Sequence, residues 1–236
     1  MGGVTTLADL HPLLLPAPVV LFDLDGTLTD SAAGVIDGFR HALATVGAPE
    51  PAHDEPQRVL GPPMIDTLRG LGLDEQQVHR ALTAYIERYD ERGWAENSVF
   101  DGVATMLGRV RDAGSRLAVA TSKNQNFAVR ILEHFELAGH FDFIGGASDD
   151  GTRRAKADVI AHSLVALGVD PVAAEDGGTG GVVMVGDREH DVTGAARWGI
   201  PTVFVEWGYG AADEAAAAHR STSSVGELTR MLTGDR

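Results

Sequence analysis

Five short, almost continuous apolar runs recur along the chain, and they constrain its fold more than any other feature. They are Pro18 to Leu24, Arg116 to Ala120, Phe141 to Gly145, Gly181 to Val185 and Thr202 to Val205. A short apolar run without polar alternation suits a strand buried on both faces of a parallel sheet. Val103 to Ala113, Gln125 to Phe135, Ala155 to Leu167 and His190 to Trp198 lie between these runs and carry apolar residues at three- and four-residue spacing, as amphipathic helices do. This alternation predicts a doubly wound, parallel α/β sheet with right-handed crossovers.

From Ser31 to Val99 the alternation stops. Gly34 to Val46, Met64 to Leu71 and Gln76 to Arg92 read as helices with no convincing strand between them. About seventy residues therefore form a small helical insert, a cap domain at 31–99, within a core made of 1–30 and 100–236. Asp30-Ser31 supplies a helix N-cap at one junction, and Phe100-Asp101-Gly102 supplies turn chemistry at the other. Glu175 to Gly181 precedes a strand instead of following one, so it reads as a loop and not as a phosphate cradle; Ala211 to Ala218 reads as a surface helix.

Composition removes several functions. With 19 basic residues against 34 acidic ones the net charge is −15, which opposes binding to nucleic acid or to anionic lipid. The absence of cysteine excludes disulfides, thiolate metal sites and cysteine nucleophiles. The first twenty residues contain no Lys or Arg, and their apolar run is interrupted by Pro12, Pro16 and Pro18, a pattern of neither a signal peptide nor a spanning helix. The expectation is a cytoplasmic protein, away from membranes, as a monomer or homodimer. Only two of the basic residues are lysines, Lys123 and Lys156, and both stand where a compact ammonium would be useful.

Ligands of an open α/β sheet bind outside the carboxyl ends of its strands. After the first run comes Asp23-Leu24-Asp25-Gly26-Thr27, after the second Thr121-Ser122-Lys123, before the third helix Lys156, and after the fourth run Asp187 and Asp191. Each fragment alone has an ordinary explanation: a turn, a helix N-cap, a solvated lysine, or acids favoured by a helix dipole. Their coincidence at four successive strand ends does not. Clustered carboxylates call for a hard divalent cation, so Asp23 and Asp187, with the backbone carbonyl of Asp25, are expected to bind Mg2+. The Thr121 hydroxyl, the Ser122 amide at a helix start and Lys156 are expected to meet phosphate oxygens. Together they predict a phosphoryl-transfer site.

The motifs FDLDGTLTDS (Phe22 to Ser31), VATSK (Val119 to Lys123), the lysine of RAKADVI (Lys156) and VGDREHD (Val185 to Asp191) resemble those of the haloacid dehalogenase-like hydrolases. The likeness is to the phosphoglycolate phosphatase-like branch, which has a Rossmann-like core and a helical cap, and it runs from Val19 to about Gly210. It implies that Asp23 is the nucleophile and Asp25 the general acid/base. It also implies that Thr121 is the second-motif hydroxyl, Lys156 the third-motif cation, and Asp187 with Asp191 the fourth-motif, metal-binding acids. The cap loop corresponds to Leu60-Gly61-Pro62-Pro63-Met64. An acid at position 25 favours phosphate esters, because the family's dehalogenases and carbon–phosphorus hydrolases lack one there. The absence of lysine from Ser31 to Val99 excludes a cap Schiff base.

The expected enzyme is a Mg2+-dependent phosphatase that hydrolyses a small phosphorylated metabolite, such as phosphoglycolate, through phospho-Asp23. The cap would close over the site, with Arg58, Gly61 and Arg69, and also His53, as substrate-side candidates. Arg153, Arg154, Arg188 and His190 receive no role, and Trp207 and Tyr209 either line the entrance or pack in the core. The competing reading is a phosphotransferase, mutase-like or protein-kinase-like, that passes the Asp23 phosphoryl group to an acceptor other than water. A non-catalytic binding protein is disfavoured by the intact set of acids.

Overall fold

A computed structural model describes residues 13–51 and 59–235. Six strands form one parallel sheet: β1 (Val19–Phe22), β4 (Arg116–Asn124), β5 (Phe143–Ala147), β6 (Val182–Gly186), β7 (Thr202–Val205) and β8 (Arg220–Thr222). Their order is β5-β4-β1-β6-β7-β8, so β1 is central and the winding direction reverses beside it. The unbroken apolar run of β1 follows from this position. Val20 and Phe22 join an apolar cluster on one face of the sheet, whereas Val19 and Leu21 join a second cluster on the other.

The helices of the core are α4 (Val103–Asp112), α5 (Gln125–His134), α6 (Lys156–Ala166), α7 (Glu189–Ala196) and α8 (Val225–Thr233). Helices α4, α5 and α8 cover the Phe22 face through residues such as Leu107, Ile131 and Leu232, while α6 and α7 cover the Leu21 face through Ile160, Leu164 and Ala195. Two-sided burial of this kind stabilises a strand by roughly 1.5–3 kcal/mol for each large apolar side chain.

The helical insert comprises α1 (Ala32–Val46), α2 (Met64–Gly70) and α3 (Glu75–Glu91). These helices share their own apolar cluster, built on Phe39, Leu43, Leu68, Val78 and Tyr89. Where the insert leaves and rejoins the core, β2 (Thr29–Asp30) and β3 (Ser98–Val99) pair antiparallel, a short ladder that the apolar pattern did not signal. Among the described residues, no helix is long and apolar enough to cross a membrane.

Three local expectations change. The N-terminus of α1 is capped by the Asp30 carboxylate, which accepts the Ala32 N–H at 3.0 Å, and the Ser31 side chain makes no cap bond. The segment 211–218 forms only a 3-10 turn, Glu214–Ala217, because a single turn of alanines cannot offset the cost of helix nucleation without a packed face. Strand β8 escaped notice because Arg220-Ser221-Thr222 has no apolar run and only Thr222 is buried.

Candidate active site

Asp23 follows directly on β1. Its N–H continues the sheet to the Val185 carbonyl at 2.9 Å, and its Oδ1 accepts the Leu24 N–H at 2.8 Å. The chain then turns sharply: the Leu24 carbonyl accepts the N–H groups of Thr27, Leu28 and Thr29. The turn requires glycine at 26, which has φ +79° and whose missing Cβ would collide with the Asp187 carboxylate. The Thr27 hydroxyl donates to Asp187 Oδ1 at 3.0 Å. Thr27 is a partner that motif reading left without a role.

Lys156 opens α6 and is almost wholly buried. Its ammonium has three acceptors: Asp23 Oδ1 at 3.0 Å, Asp191 Oδ1 at 2.7 Å and the Ala120 carbonyl at 2.9 Å. Burial works against the charge, but Asp191 and Asp23 outweigh it and raise the pKa of Lys156 above its ordinary value. Asp191 also accepts the Arg188 N–H on Oδ2 at 3.0 Å, so both of its oxygens are committed. Asp191 is thus the counter-ion of Lys156. Glycines at 186 and 194 make the arrangement possible, because a Cβ at Gly186 would collide with Asp191 and one at Gly194 would lie 2.7 Å from the Lys156 stem.

Asp187 stands at the end of β6, beside β1, and is fully buried. Oδ2 accepts the Tyr209 N–H at 2.7 Å, and Gly208 closes over the carboxylate so tightly that a Cβ there would collide with it. Burial, followed by the neighbouring charges of Asp191 and Asp23, pushes the Asp187 carboxyl well above the usual carboxylate range. Among the described residues, Asp23, Asp25, Asp187 and Asp191 face two ammonium groups, Lys156 and Lys123, so that with all four acids ionised two negative charges are uncompensated. An all-oxygen donor set with that charge deficit fits a hard divalent cation held by Asp23 and Asp187. Asp23, His190 and Asp191 also bring ligand atoms within 4.8 Å of one another, but the Lys156 ammonium already touches both of those carboxylates.

Thr121 is buried, and its hydroxyl accepts the Lys123 N–H at 3.2 Å. The expectation of a helix start at Ser122 is corrected: β4 continues to Asn124 through a shift of register, and Asn124 caps α5 by accepting the N–H groups of Asn126 and Phe127. Ser122 thus offers a strand-end amide without a helix dipole behind it. Lys123 has its ammonium 2.9 Å from Asp25 Oδ2 and 4.7 Å from the centre of the Tyr89 ring of α3. Asp25 Oδ1 is buried with no hydrogen-bond partner.

Of the substrate-side candidates, Arg58 and His53 lie outside the described residues. Arg69 is exposed, held by Glu75 through bonds of 3.0 and 3.1 Å, and lies outside the cleft that contains Asp25. Gly61 is in that cleft, with φ +105°, and a Cβ on it would lie 2.6 Å from the Arg188 guanidinium. Arg188, given no role by sequence, donates to the Leu60 carbonyl and to Glu214 at 3.0 Å, and Arg154 pairs with Asp66. Both arginines tie the helical insert to the core. Trp207 and Tyr209 brace the loop after β1: Trp207 Nε1 donates to the Thr27 carbonyl at 3.2 Å, and the Tyr209 hydroxyl accepts the Ser31 N–H at 2.6 Å and donates to Asp30 at 2.8 Å.

Residues 20–205 match the family model of the haloacid dehalogenase-like hydrolases. The chain is 53% identical over 195 residues to the tyrosine-protein kinase PtkA of Mycobacterium tuberculosis, a match that covers 83% of this chain and 64% of that relative. It therefore spans less than two thirds of the relative's length. A 5'-nucleotidase of Pseudomonas aeruginosa is 39% identical over 215 residues, covering 91% of this chain and 93% of its own. Among solved structures, a predicted phosphatase from Clostridium acetobutylicum superposes with a TM-score of 0.83 at 35% identity, covering 94% of this chain and all of its own.

Proposed function

The chain belongs to the haloacid dehalogenase-like hydrolases; from that premise we propose that it is a phosphatase, a Mg2+-dependent phosphomonoesterase that works through phospho-Asp23. The observation that carries this reading is the division of labour between two carboxylates two residues apart. Asp23 is clamped on Oδ1 by Lys156 and the Leu24 amide, so its Oδ2 is left as the nucleophile. Asp25 is clamped on Oδ2 by Lys123, so its unpartnered Oδ1 is left to carry a proton.

In the first step Asp23 Oδ2 bonds to phosphorus as the ester P–O bond breaks, and Asp25 protonates the departing oxygen. In the second, Asp25 takes a proton from water, whose oxygen bonds to phosphorus and displaces Asp23 as a free carboxylate, releasing inorganic phosphate. The Thr121 hydroxyl and the Ser122 amide at the strand end supply donors to the phosphoryl oxygens, while Lys156, whose three N–H groups are taken by Asp23, Asp191 and the Ala120 carbonyl, contributes its positive charge beside them. Asp23 and Asp187, with the carbonyl of Asp25, would hold Mg2+, which would supply neutralisation of phosphoryl charge. Residues 31–99 act as a cap that excludes water from the first step.

Phosphate release from a panel of phosphate esters tests the reading, with chelator and Asp23→Asn as controls. Release that needs Mg2+ and vanishes in the variant supports it; release that survives Asp23→Asn overturns it. The identity to a tyrosine-protein kinase favours a second reading, transfer of the Asp23 phosphoryl group to a tyrosine hydroxyl. Radiolabelled phosphoenzyme chased with a tyrosine-containing protein separates the two, because label leaves either as inorganic phosphate or on the acceptor.

A further inference from the structure

A cleft of about 620 Å³ lies between the helical insert and the carboxyl end of β4, with Asp25, Ser122 and Lys123 among its lining residues. Its opposite wall, from α3, is apolar and aromatic. Tyr85 stacks on Tyr89 with ring centres 5.7 Å apart and planes inclined by 21°, and Tyr89 meets Phe127 edge-on at 5.1 Å. Gly38 backs the Tyr85 ring, since a Cβ there would lie only 3.0 Å from it. One turn along, Ile86 lines the same cleft with 46% of its surface exposed. Tyr89 itself is buried, so the half-buried Tyr85 and the uncovered Ile86 are the surface that a planar apolar ligand would meet.

The charges of the cleft narrow the choice. Among the described residues the two cations lining it are both engaged, Lys123 by Asp25 at 2.9 Å and Arg154 by Asp66. Asp149 and Asp150 add negative charge at the same cleft. Asp150 is held ionised, with its pKa lowered to about 2 by the Ser148 hydroxyl and by the Thr152 amide and hydroxyl. A leaving group with its own carboxylate or second phosphate would face these acids with no free cation among the described residues to receive it.

We infer that this cleft selects phosphate esters whose leaving group is a flat aromatic or heteroaromatic ring without a second negative charge. The inference rests on the phosphomonoesterase reading and narrows its substrate. Benzyl phosphate and ethyl phosphate release alcohols of similar basicity, so their comparison reads recognition of the ring and not ease of bond cleavage. The expected result is a kcat/KM at least tenfold higher for benzyl phosphate, with phosphoglycolate poorer still. Ile86→Ser, at an exposed position that does not endanger the fold, brings the benzyl-to-ethyl ratio to within threefold of one. Adenosine 5'-monophosphate and N-acetyl-phosphotyrosine amide, whose leaving groups carry no carboxylate, distinguish a nucleoside from an amino-acid ring, and preference for either over phosphoglycolate supports the inference. Equal turnover of benzyl and ethyl phosphate, or a preference for phosphoglycolate, overturns it and leaves the phosphatase reading intact. If no ester is hydrolysed, the phosphatase reading fails instead, and calorimetry with Asp23→Asn still decides about the ring: benzyl phosphate bound at least tenfold more tightly than ethyl phosphate supports it, and equal binding overturns it.

Discussion

At the scale of single residues, the site is a set of carboxylates told apart by their partners. Asp23 and Asp191 share Lys156, Asp25 has Lys123, and Asp187, among the described residues, has the Thr27 hydroxyl and the Tyr209 amide. Thr121→Ala removes one donor that the proposed mechanism aims at the phosphoryl group and is expected to cost about 2.7–4 kcal/mol of transition-state stabilisation, read as a fall in kcat. Lys123→Met is expected to act through Asp25. An alkyl phosphate, which needs its leaving oxygen protonated, loses about 10²-fold or more in kcat, whereas p-nitrophenyl phosphate, whose phenolate departs unaided, loses roughly tenfold at most. Equal losses with both esters would assign Lys123 to the fold alone. The acids were legible because they end apolar runs; the partnership of Lys123 was not, because it depends on Tyr89 of a distant helix.

At the scale of elements, the sheet positions the chemistry and the arginines of the core position the insert. Val19↔Val182 and Phe22↔Val185 register β1 on β6, which brings the loop of Asp23 beside that of Asp187. Arg188 and Arg154 reach from the core to the Leu60 carbonyl and to Asp66, on loop 60–64 and helix α2. On the other side Arg130 of α5 pairs with Asp90 at 2.7 Å and lies 3.9 Å over the Trp94 ring. Arg188→Ala frees the loop without touching a reacting atom. The expected result is a KM raised about tenfold with a change of roughly 1 kcal/mol in the free energy of urea unfolding. An unchanged KM would show that this contact has no part in binding substrate. Strand β7, Thr202–Val205, was readable to the residue because four buried apolar side chains make a run, whereas β8 was not, because it is an edge strand with two exposed polar residues out of three.

For the whole molecule, the uncompensated charge of the site links stability to pH and to metal. Without a cation, the raised carboxyl of Asp187 binds its proton more tightly in the folded state than in the unfolded chain. Stability from that group is therefore present below the ordinary carboxylate pKa and is lost as pH rises towards the folded value. The metal-free protein is expected to melt at a lower temperature at pH 8 than at pH 5. At one Mg2+ concentration, set at about 100 times the Kd at pH 8, the cation restores about 2.7 kcal/mol there and less at pH 5, where the Asp187 proton competes with it. Calorimetric scans with and without chelator check this, and a gain in Tm independent of pH would place the cation away from Asp187.

The sequence by itself determined the layering of this protein and where its candidate reactive groups lie along the chain. Two-sided burial demands apolar runs, and a doubly wound sheet leaves its polar residues only at the strand ends, so Asp23, Asp25, Thr121, Lys156 and Asp187 stood out in one dimension. Only the tertiary structure decided which groups pair. The Thr27–Asp187 bond spans 160 positions, and Lys156 meets Asp191 instead of solvent. Such choices depend on strand order, on the left-handed turn at Gly26 and on glycines too small to obstruct a carboxylate, none of which leaves a period in the sequence.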